Sequence, residues 1–331
     1  MRACYRRRTK HGPFVRYYRG GRVKERGAYK HGRLHGPMTR YDQRGERREL
    51  IPYVNGRREG EALKWKRSGE LNAKVTWVGG AKEGPAEFHW RYSSDSGSHR
   101  RGKRHGPWVI TLTTGERTEL NYVDGVVDGV ERSFAANGQL VREGTLQAGV
   151  RVGLWRSWWP SGAQSGQGNY RAGQRDGLWR WWHANGKVRR ERTFKRGVVE
   201  GVGKDWSASG QLLLEGHWRR GGREGRFRAW HATGGLAESA RWRDDQLEGE
   251  RLEFDAKGGL VLRSQWRAGA PEGLWLRVNA TAQPETAFFQ RGAMSKPWAK
   301  PDHPVCTPKV GADGQIQRGP PARCGANGPT P

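Results

Sequence analysis

"GLWRSWWPSG" at residues 153–162 and "GLWRWWHANG" at residues 177–186 are nearly the same sequence. Aligning the whole chain on the glycine that opens this stretch extends the similarity over most of its length. Successive opening glycines are 24 residues apart, except for one spacing of 22 and one of 23. A fixed period in the twenties is typical of a repeat array. The opening glycines are Gly12, Gly36, Gly60, Gly84, Gly106, Gly129, Gly153, Gly177, Gly201, Gly225, Gly249 and Gly273.

Two more glycines recur in the unit, at plus nine and near plus twenty from the opening glycine. The plus-nine glycine often follows Asn or Ser, as at Asn137, Asn185 and Ser209. Asn-Gly between two runs of apolar residues is a strong hairpin signal, because both turn residues then adopt positive φ. The pattern disfavours a helix, since a turn-forming glycine every 9–13 residues would interrupt it at a cost of about 1 kcal/mol each. Two turns per unit therefore predict one β-hairpin per unit.

The predicted fold is all-β, an elongated array of antiparallel β-hairpins that form a single twisted sheet. Residues 1–11 are predicted to be a partial repeat, because Tyr5 occupies the plus-seventeen aromatic position of a unit whose first strand is missing. Residues 12–279 contain about eleven to twelve repeats of about 24 residues. Residues 280–331 are Pro-rich and are expected to form an irregular C-terminal cap or tail.

Aromatic residues recur at plus five and plus seventeen, and often at plus two. Aliphatic residues are sparse, so we expect aromatic pairs to supply much of the buried area of the sheet. Plus two and plus five have opposite parity on a regular strand, so either a bulge resets the alternation or both faces carry aromatics. The predicted structural aromatics are Trp158, Trp182, Trp206 and Trp230 at plus five, and Trp218, Trp242 and Trp266 at plus seventeen.

Basic residues also recur by the unit, in a chain whose net charge is +28. Rows of cations about 10 Å apart suit an extended polyanion, which they would bind by shape and charge. The alternative is a solvated strand edge, where Lys and Arg discourage unwanted pairing. The candidate binding surface comprises Arg156, Arg180, Lys204 and Arg228 at plus three, and Arg171, Lys195, Arg219, Arg243 and Arg267 at plus eighteen.

Acidic residues recur just before the opening glycine, as at Glu200 and Glu248. A carboxylate repeated in every unit lacks the singular environment of a catalytic group, so we expect these acids to pair with neighbouring Arg and Lys. His303, Cys306 and Cys324 provide only three potential zinc ligands with loose spacing, whereas zinc usually takes four. No catalytic, cofactor-binding or metal-ligating residues are predicted, and the chain is not expected to be an enzyme.

The repeat resembles MORN repeats, and more closely the bacterial MORN variant of the antitoxin-component-like family. That unit runs approximately G-x-W-x-x-[WY]-[WYH]-x-N-G, followed by a charged strand, an aromatic and x-x-G-x-x-[DE]-G. Residues 177–201, "GLWRWWHANGKVRRERTFKRGVVEG", match it nearly position for position. The resemblance implies an extended antiparallel sheet and a role in binding or scaffolding.

The function predicted from these features is a non-catalytic repeat scaffold that mediates protein–protein interaction. The alternative is electrostatic binding of nucleic acid, anionic lipid, a cell-wall polymer or another polyanion through the Arg and Lys rows. No apolar run is long enough for a transmembrane helix, and "MRACYRRRTK" at the start lacks the apolar region of a signal peptide. The predicted compartment is the cytoplasm by default, or an exported location if an N-terminal segment is missing.

Overall fold

The computed structural model describes residues 2–279, 281, 283–301, 308–310 and 315–317. Every regular element within these ranges is a β-strand, and every strand pairing is antiparallel. The predicted fold class, an all-β array of antiparallel hairpins, is therefore confirmed. The chain divides into two compact units, Met1–Gly162 and Ala163–Pro331.

The first unit consists of hairpins in which each strand pairs with the next along the chain. In three places the second strand of a hairpin is split just before the opening glycine, which gives the two-residue strands β4, β7 and β14. The strands are β1 Arg2–Arg6, β2 Thr9–Tyr17, β3 Val23–Lys30, β4 Arg33–Leu34, β5 Gly36–Tyr41, β6 Arg47–Val54, β7 Arg57–Arg58, β8 Gly60–Trp65, β9 Leu71–Val78, β10 Ala81–His89, β11 Ser93–Arg100, β12 Lys103–Leu112, β13 Arg117–Val123, β14 Val126–Val127, β15 Gly129–Phe134, β16 Leu140–Gln147 and β17 Val150–Trp158.

The second unit repeats this plan and continues past residue 279, where the sequence analysis ends the repeats. Strands β29 and β30 add one more antiparallel pair, and β31 and β32 form a separate short hairpin in the tail. The strands are β18 Gln164–Arg171, β19 Gln174–Trp182, β20 Val188–Lys195, β21 Val198–Val199, β22 Gly201–Trp206, β23 Leu212–Arg219, β24 Gly222–Trp230, β25 Leu236–Arg243, β26 Gln246–Phe254, β27 Leu260–Arg267, β28 Ala270–Val278, β29 Pro284–Gln290, β30 Ala293–Ala299, β31 Lys309–Val310 and β32 Ile316–Gln317.

The plus-nine glycine lies in a turn, as predicted, but the turn type differs from the predicted one with positive φ at both central residues. At Asn185 and Gly186 only the glycine has positive φ, at 82°. The N–H of Gly186 donates to the carbonyl of His183 at 3.0 Å, and His183 N–H donates to the carbonyl of Lys187 at 2.9 Å. This is a type I turn followed by a bulge with glycine in the left-handed region. Asn185 instead uses its side chain, which donates to the carbonyl of Ala208 in the next repeat at 2.7 Å.

Positive φ at both central residues occurs at the other turn, at plus nineteen and plus twenty. Arg220 has a φ of 51° and Gly221 a φ of 86°, which is the type I′ geometry. Gly221 N–H donates to the carbonyl of Val199 at 2.9 Å. The N–H of Arg220 donates to the carboxylate of Glu200 at 2.8 Å, and Glu248 receives the equivalent bond from Ala268. Some of these acids also pair with Arg side chains as expected, since Asp176 lies 3.1 Å from Arg171 and Glu248 lies 4.0 Å from Arg243. The bond that each carboxylate accepts from the backbone N–H of the turn was not predicted.

A third feature, absent from the sequence analysis, packs the plus-two aromatics. The ring of Trp179 lies across Gly168 in the neighbouring strand, so closely that a Cβ on Gly168 would stand 2.1 Å from it. Gly168 is the residue of β18 that faces the bulge in β19, between Gln167 opposite Arg180 and Asn169 opposite Asp176. The bulge leaves the carbonyl of Asn169 to accept the indole N–H of Trp179 at 3.1 Å. Gly97, Gly144 and Gly216 hold Trp108, Trp155 and Phe227 in the same way.

Candidate binding surface

Alternation along the strands gives the sheet two faces with different contents. On β19, Trp179 lies on one face, whereas Leu178, Arg180 and Trp182 lie on the other. We name these the plus-two face and the plus-three face after the positions that define them. The plus-two face contains the aromatics at plus two and plus seventeen, and the plus-three face contains those at plus five. Both faces therefore carry aromatics, which resolves the parity question left open by the sequence.

Two of the predicted plus-three cations are neutralised by cross-strand partners. Arg180 lies opposite Glu191 and its Nε is 2.6 Å from that carboxylate. Lys204 lies opposite Glu215, with Nζ 3.1 Å from the carboxylate oxygen. Each such pair on an exposed strand contributes about 0.2–1 kcal/mol and cancels the local charge.

The other two predicted plus-three cations, Arg156 and Arg228, form no ion pair with any residue in the described part of the chain. Arg156 is exposed near the C-terminal end of β17 in the first unit, and Arg228 is half-buried on β24 in the second. The four residues therefore share a position in the repeat but differ in their electrostatic surroundings.

Apolar side chains on the plus-three face are exposed at plus one. Leu178 retains 43% and Val202 retains 53% of its accessible surface. Each is two residues before a cation that is already paired, Arg180 or Lys204. Thr193 and His217 lie opposite them on the next strands. This part of the second unit thus offers apolar surface between neutralised charges, a feature that the sequence analysis missed because it followed only the charged residues.

The plus-eighteen cations lie elsewhere in the hairpin, each as the last residue of a strand beside a type I′ turn. All five are exposed. Arg171 pairs with Asp176 at 3.1 Å, and Arg243 reaches Glu248 at 4.0 Å. The remaining three form no ion pair within the described ranges, and they are Lys195, Arg219 and Arg267.

The predicted structural aromatics divide between the two faces. The four plus-five tryptophans are half-buried on the plus-three face, at Trp158, Trp182, Trp206 and Trp230. The plus-seventeen tryptophans lie on the plus-two face with the plus-two rings. The ring of Phe227 has its centroid 4.7 Å from Trp218 and 6.3 Å from Trp242, in edge-to-face geometry, and Trp266 is 5.2 Å from Trp275.

Near the C-terminus the plus-three face is covered. Leu252 and Leu276 replace the cation at plus three, and they pack with Leu236, Phe254 and Leu260 in one cluster. Val310 and Ile316 of the tail hairpin pack against this cluster. The tail therefore shields an apolar part of the plus-three face that the hairpins alone would leave open.

The described ranges contain no group of three or more His, Cys, Asp or Glu residues placed to hold a metal ion. His303, Cys306 and Cys324 lie outside the described residues. Hydrogen bonds from arginine lower the pKa of two exposed carboxyls, with Arg100 acting on Asp124 and Arg223 acting on Asp245. Both carboxylates belong to residues of type I′ turns and accept hydrogen bonds from these arginines. Among the residues that the structure describes, no helix is long and apolar enough to cross a membrane.

Comparison with known proteins identifies the repeat itself. Residues 127–148 and 175–196 match the family model described as MORN repeat variant. Both segments begin two residues before an opening glycine and end at the first residue of the type I′ turn. These two segments are MORN-variant repeats. The same hairpin recurs in both compact units of the chain. No curated protein matches the sequence at a significant level.

Solved structures with some similarity share little with this chain. "Crystal Structure of TcdB2-TccC3-Cdc42" is 11% identical with a TM-score of 0.13, over 90% of this chain and 24% of that one. "Crystal Structure of TcdB2-TccC3 without hypervariable C-terminal region" is 10% identical with a TM-score of 0.13, over 92% and 23%. This chain spans about a quarter of the length of those chains. At such TM-scores these likenesses bear on neither its fold nor its function.

Proposed function

We propose that this chain of MORN-variant repeats is a non-catalytic binding scaffold that holds a protein partner on its plus-three face. The observation that carries the proposal is the exposed pair Leu178 and Val202, set between the ion pairs of Arg180 and Lys204. Apolar side chains with charges already satisfied suit a protein interface, whose centre is depleted of unpaired charge. A polyanion would instead need free cations at these positions.

The test is capture of partners from an extract of the source cells with the full-length chain. Leu178→Gln/Val202→Gln removes the exposed apolar groups. Val198→Gln/Val261→Gln is the matched control, since those valines are exposed to a similar degree outside the proposed contact. We expect the first variant to lose the partner and the control to retain it. A complex that tolerates Leu178→Gln/Val202→Gln would refute this surface.

A second candidate function rests on Lys195, Arg219 and Arg267, which are exposed and form no ion pair with another described residue. They support binding of a polyanion such as nucleic acid, anionic lipid or a cell-wall polymer along the turn edge of the second unit. Salt distinguishes the two functions, because polyanion binding weakens steeply as counterions are released. A Lys195→Gln/Arg219→Gln/Arg267→Gln variant should then lose affinity for single-stranded DNA, whereas capture of a protein partner through apolar contacts should change little with salt.

A further inference from the structure

A cavity of about 330 Å³ lies on the plus-three face of the second unit, where the tail hairpin meets strands β24–β26. Arg226, Arg228 and Arg241 line it, together with Ser239. Leu236, Leu252, Gln315 and Ile316 complete most of its wall. It is distinct from the exposed surface around Leu178 and Val202 described above.

The three arginines of this cavity are without carboxylate partners within the described ranges. Arg228 occupies plus three, as do Arg180 and Lys204 in the two preceding repeats. Those cations face Glu191 and Glu215 at plus fourteen, but the plus-fourteen residue opposite Arg228 is Ser239. On its other side Arg228 lies opposite Glu215, which is already bound to Lys204 at 3.1 Å. The repeat therefore lacks the acid that neutralises its cation elsewhere.

The other two arginines add to the uncompensated charge. Arg226 and Arg241 lie directly opposite each other on β24 and β25. Like charges directly opposite on neighbouring strands are destabilising. The one acid lining the cavity, Glu250, is held by Arg263 at 2.9 Å. Three arginines thus line one cavity, and none of them forms an ion pair with a carboxylate in the part of the chain that the structure describes.

We infer that this cavity binds a small phosphate monoester. A phosphate dianion offers several oxygens to guanidinium groups, which bind it by paired hydrogen bonds, and it neutralises more of the positive charge than a monoanion would. The cavity exceeds the size of a phosphate group, and Leu236, Leu252 and Ile316 provide apolar wall for the organic part of the ester. This inference goes beyond the proposed function and does not depend on it.

The test is calorimetric titration of the full chain with phenyl phosphate and with inorganic phosphate at physiological ionic strength. Arg226→Gln/Arg241→Gln removes the opposed pair. Arg189→Gln/Arg220→Gln is the control with equal loss of charge, because both residues are exposed and neither forms an ion pair in the part of the chain that the structure describes. We expect the wild type and the control to bind one phenyl phosphate per chain, and to bind inorganic phosphate more weakly. Arg226→Gln/Arg241→Gln should bind phenyl phosphate at least tenfold more weakly than the wild type.

A second measurement separates lost binding from lost folding. Without ligand, Arg226→Gln/Arg241→Gln should unfold at the same or a higher temperature than the wild type, because the repulsion between the two arginines is removed. The inference would be overturned if phenyl phosphate did not bind, or if it bound at more than one equivalent site. It would also be overturned if Arg226→Gln/Arg241→Gln kept the affinity of the wild type, or if the chain bound single-stranded DNA and no phenyl phosphate. Leu178→Gln/Val202→Gln should leave phosphate binding unchanged, so failure here is distinguishable from failure of the partner surface.

Discussion

Glycine at plus fifteen is the residue on which a plus-two aromatic of the next hairpin rests. We predict that Gly168→Ala destabilises the chain by about 1–3 kcal/mol, because the new Cβ would stand 2.1 Å from the ring of Trp179 and overpack the site. Urea denaturation measures this. Gly235→Ala is the control, since its Cβ meets nothing closer than 3.6 Å. Combining Gly168→Ala with Trp179→Leu should recover part of the loss, and strictly additive effects would contradict the contact.

The same size rule appears in reverse within the chain itself. Where plus two is Gly203, plus fifteen of the preceding repeat is Arg192, whose side chain lies 2.7 Å from the position of a Cβ on Gly203. Arg192 also lies over the ring of Trp218, with its guanidinium carbon 4.4 Å from the ring centroid. One member of each pair is large and the other has no side chain, so volume is conserved across the two strands.

His99 is the buried titratable residue for which a pH effect is expected. Burial lowers its pKa, as do the charges of Lys82 and Arg104, and its ring packs edge-on against Trp108 at 5.3 Å. Below about pH 6.5 the unfolded chain then binds more protons than the folded one. The free energy of unfolding therefore decreases as the pH is lowered, by at most about 1.4 kcal/mol per pH unit, until the pH passes below the pKa of His99 in the folded chain. His99→Gln should lose this slope in urea denaturation, whereas His217→Gln, at an exposed site, should keep it.

At the scale of the hairpin, the acid before the opening glycine holds the next type I′ turn. We predict that Glu200→Ala destabilises the chain by about 1–2 kcal/mol, because the N–H of Arg220 loses a charged acceptor at 2.8 Å. Glu200→Gln keeps an oxygen in place and should lose less. Hydrogen exchange at the Arg220 amide provides the direct measurement. Equal losses in the two variants would mean that the carboxylate acts through charge alone.

The hairpins and the positions of their turns were predictable because a 24-residue period and turn glycines are local signals. The type of each turn was not, since Asn185–Gly186 is compatible with two geometries and the adjacent bulge selects between them. The contact between Gly168 and Trp179 joins two strands, so the sequence around either residue does not predict it. Whether a plus-three cation forms an ion pair depends on the residue opposite, as the contrast of Glu191 with Ser239 shows, and the position of a cation in the repeat does not reveal it.

At the scale of the whole molecule, the two faces of the repeat vary to different degrees along the chain. The plus-two face keeps one solution through many repeats, a ring over a glycine, as at Trp155 and Phe227. The plus-three face changes along the second unit, from paired cations at Arg180, through unpaired Arg228, to buried Leu252 beneath the tail. Binding sites can therefore vary from repeat to repeat while the packing of the opposite face is retained.

The net charge of +28 gives a prediction for the entire chain. We expect added NaCl to raise the thermal midpoint by on the order of several degrees between low and physiological ionic strength, because screening shortens from about 30 Å to about 8 Å and weakens the repulsion among excess cations. Salt also weakens pairs such as Arg180–Glu191, but each contributes only about 0.2–1 kcal/mol. Circular dichroism follows the transition, with KCl as the control that should act equally. A midpoint that falls with salt would mean that the ion pairs outweigh the repulsion.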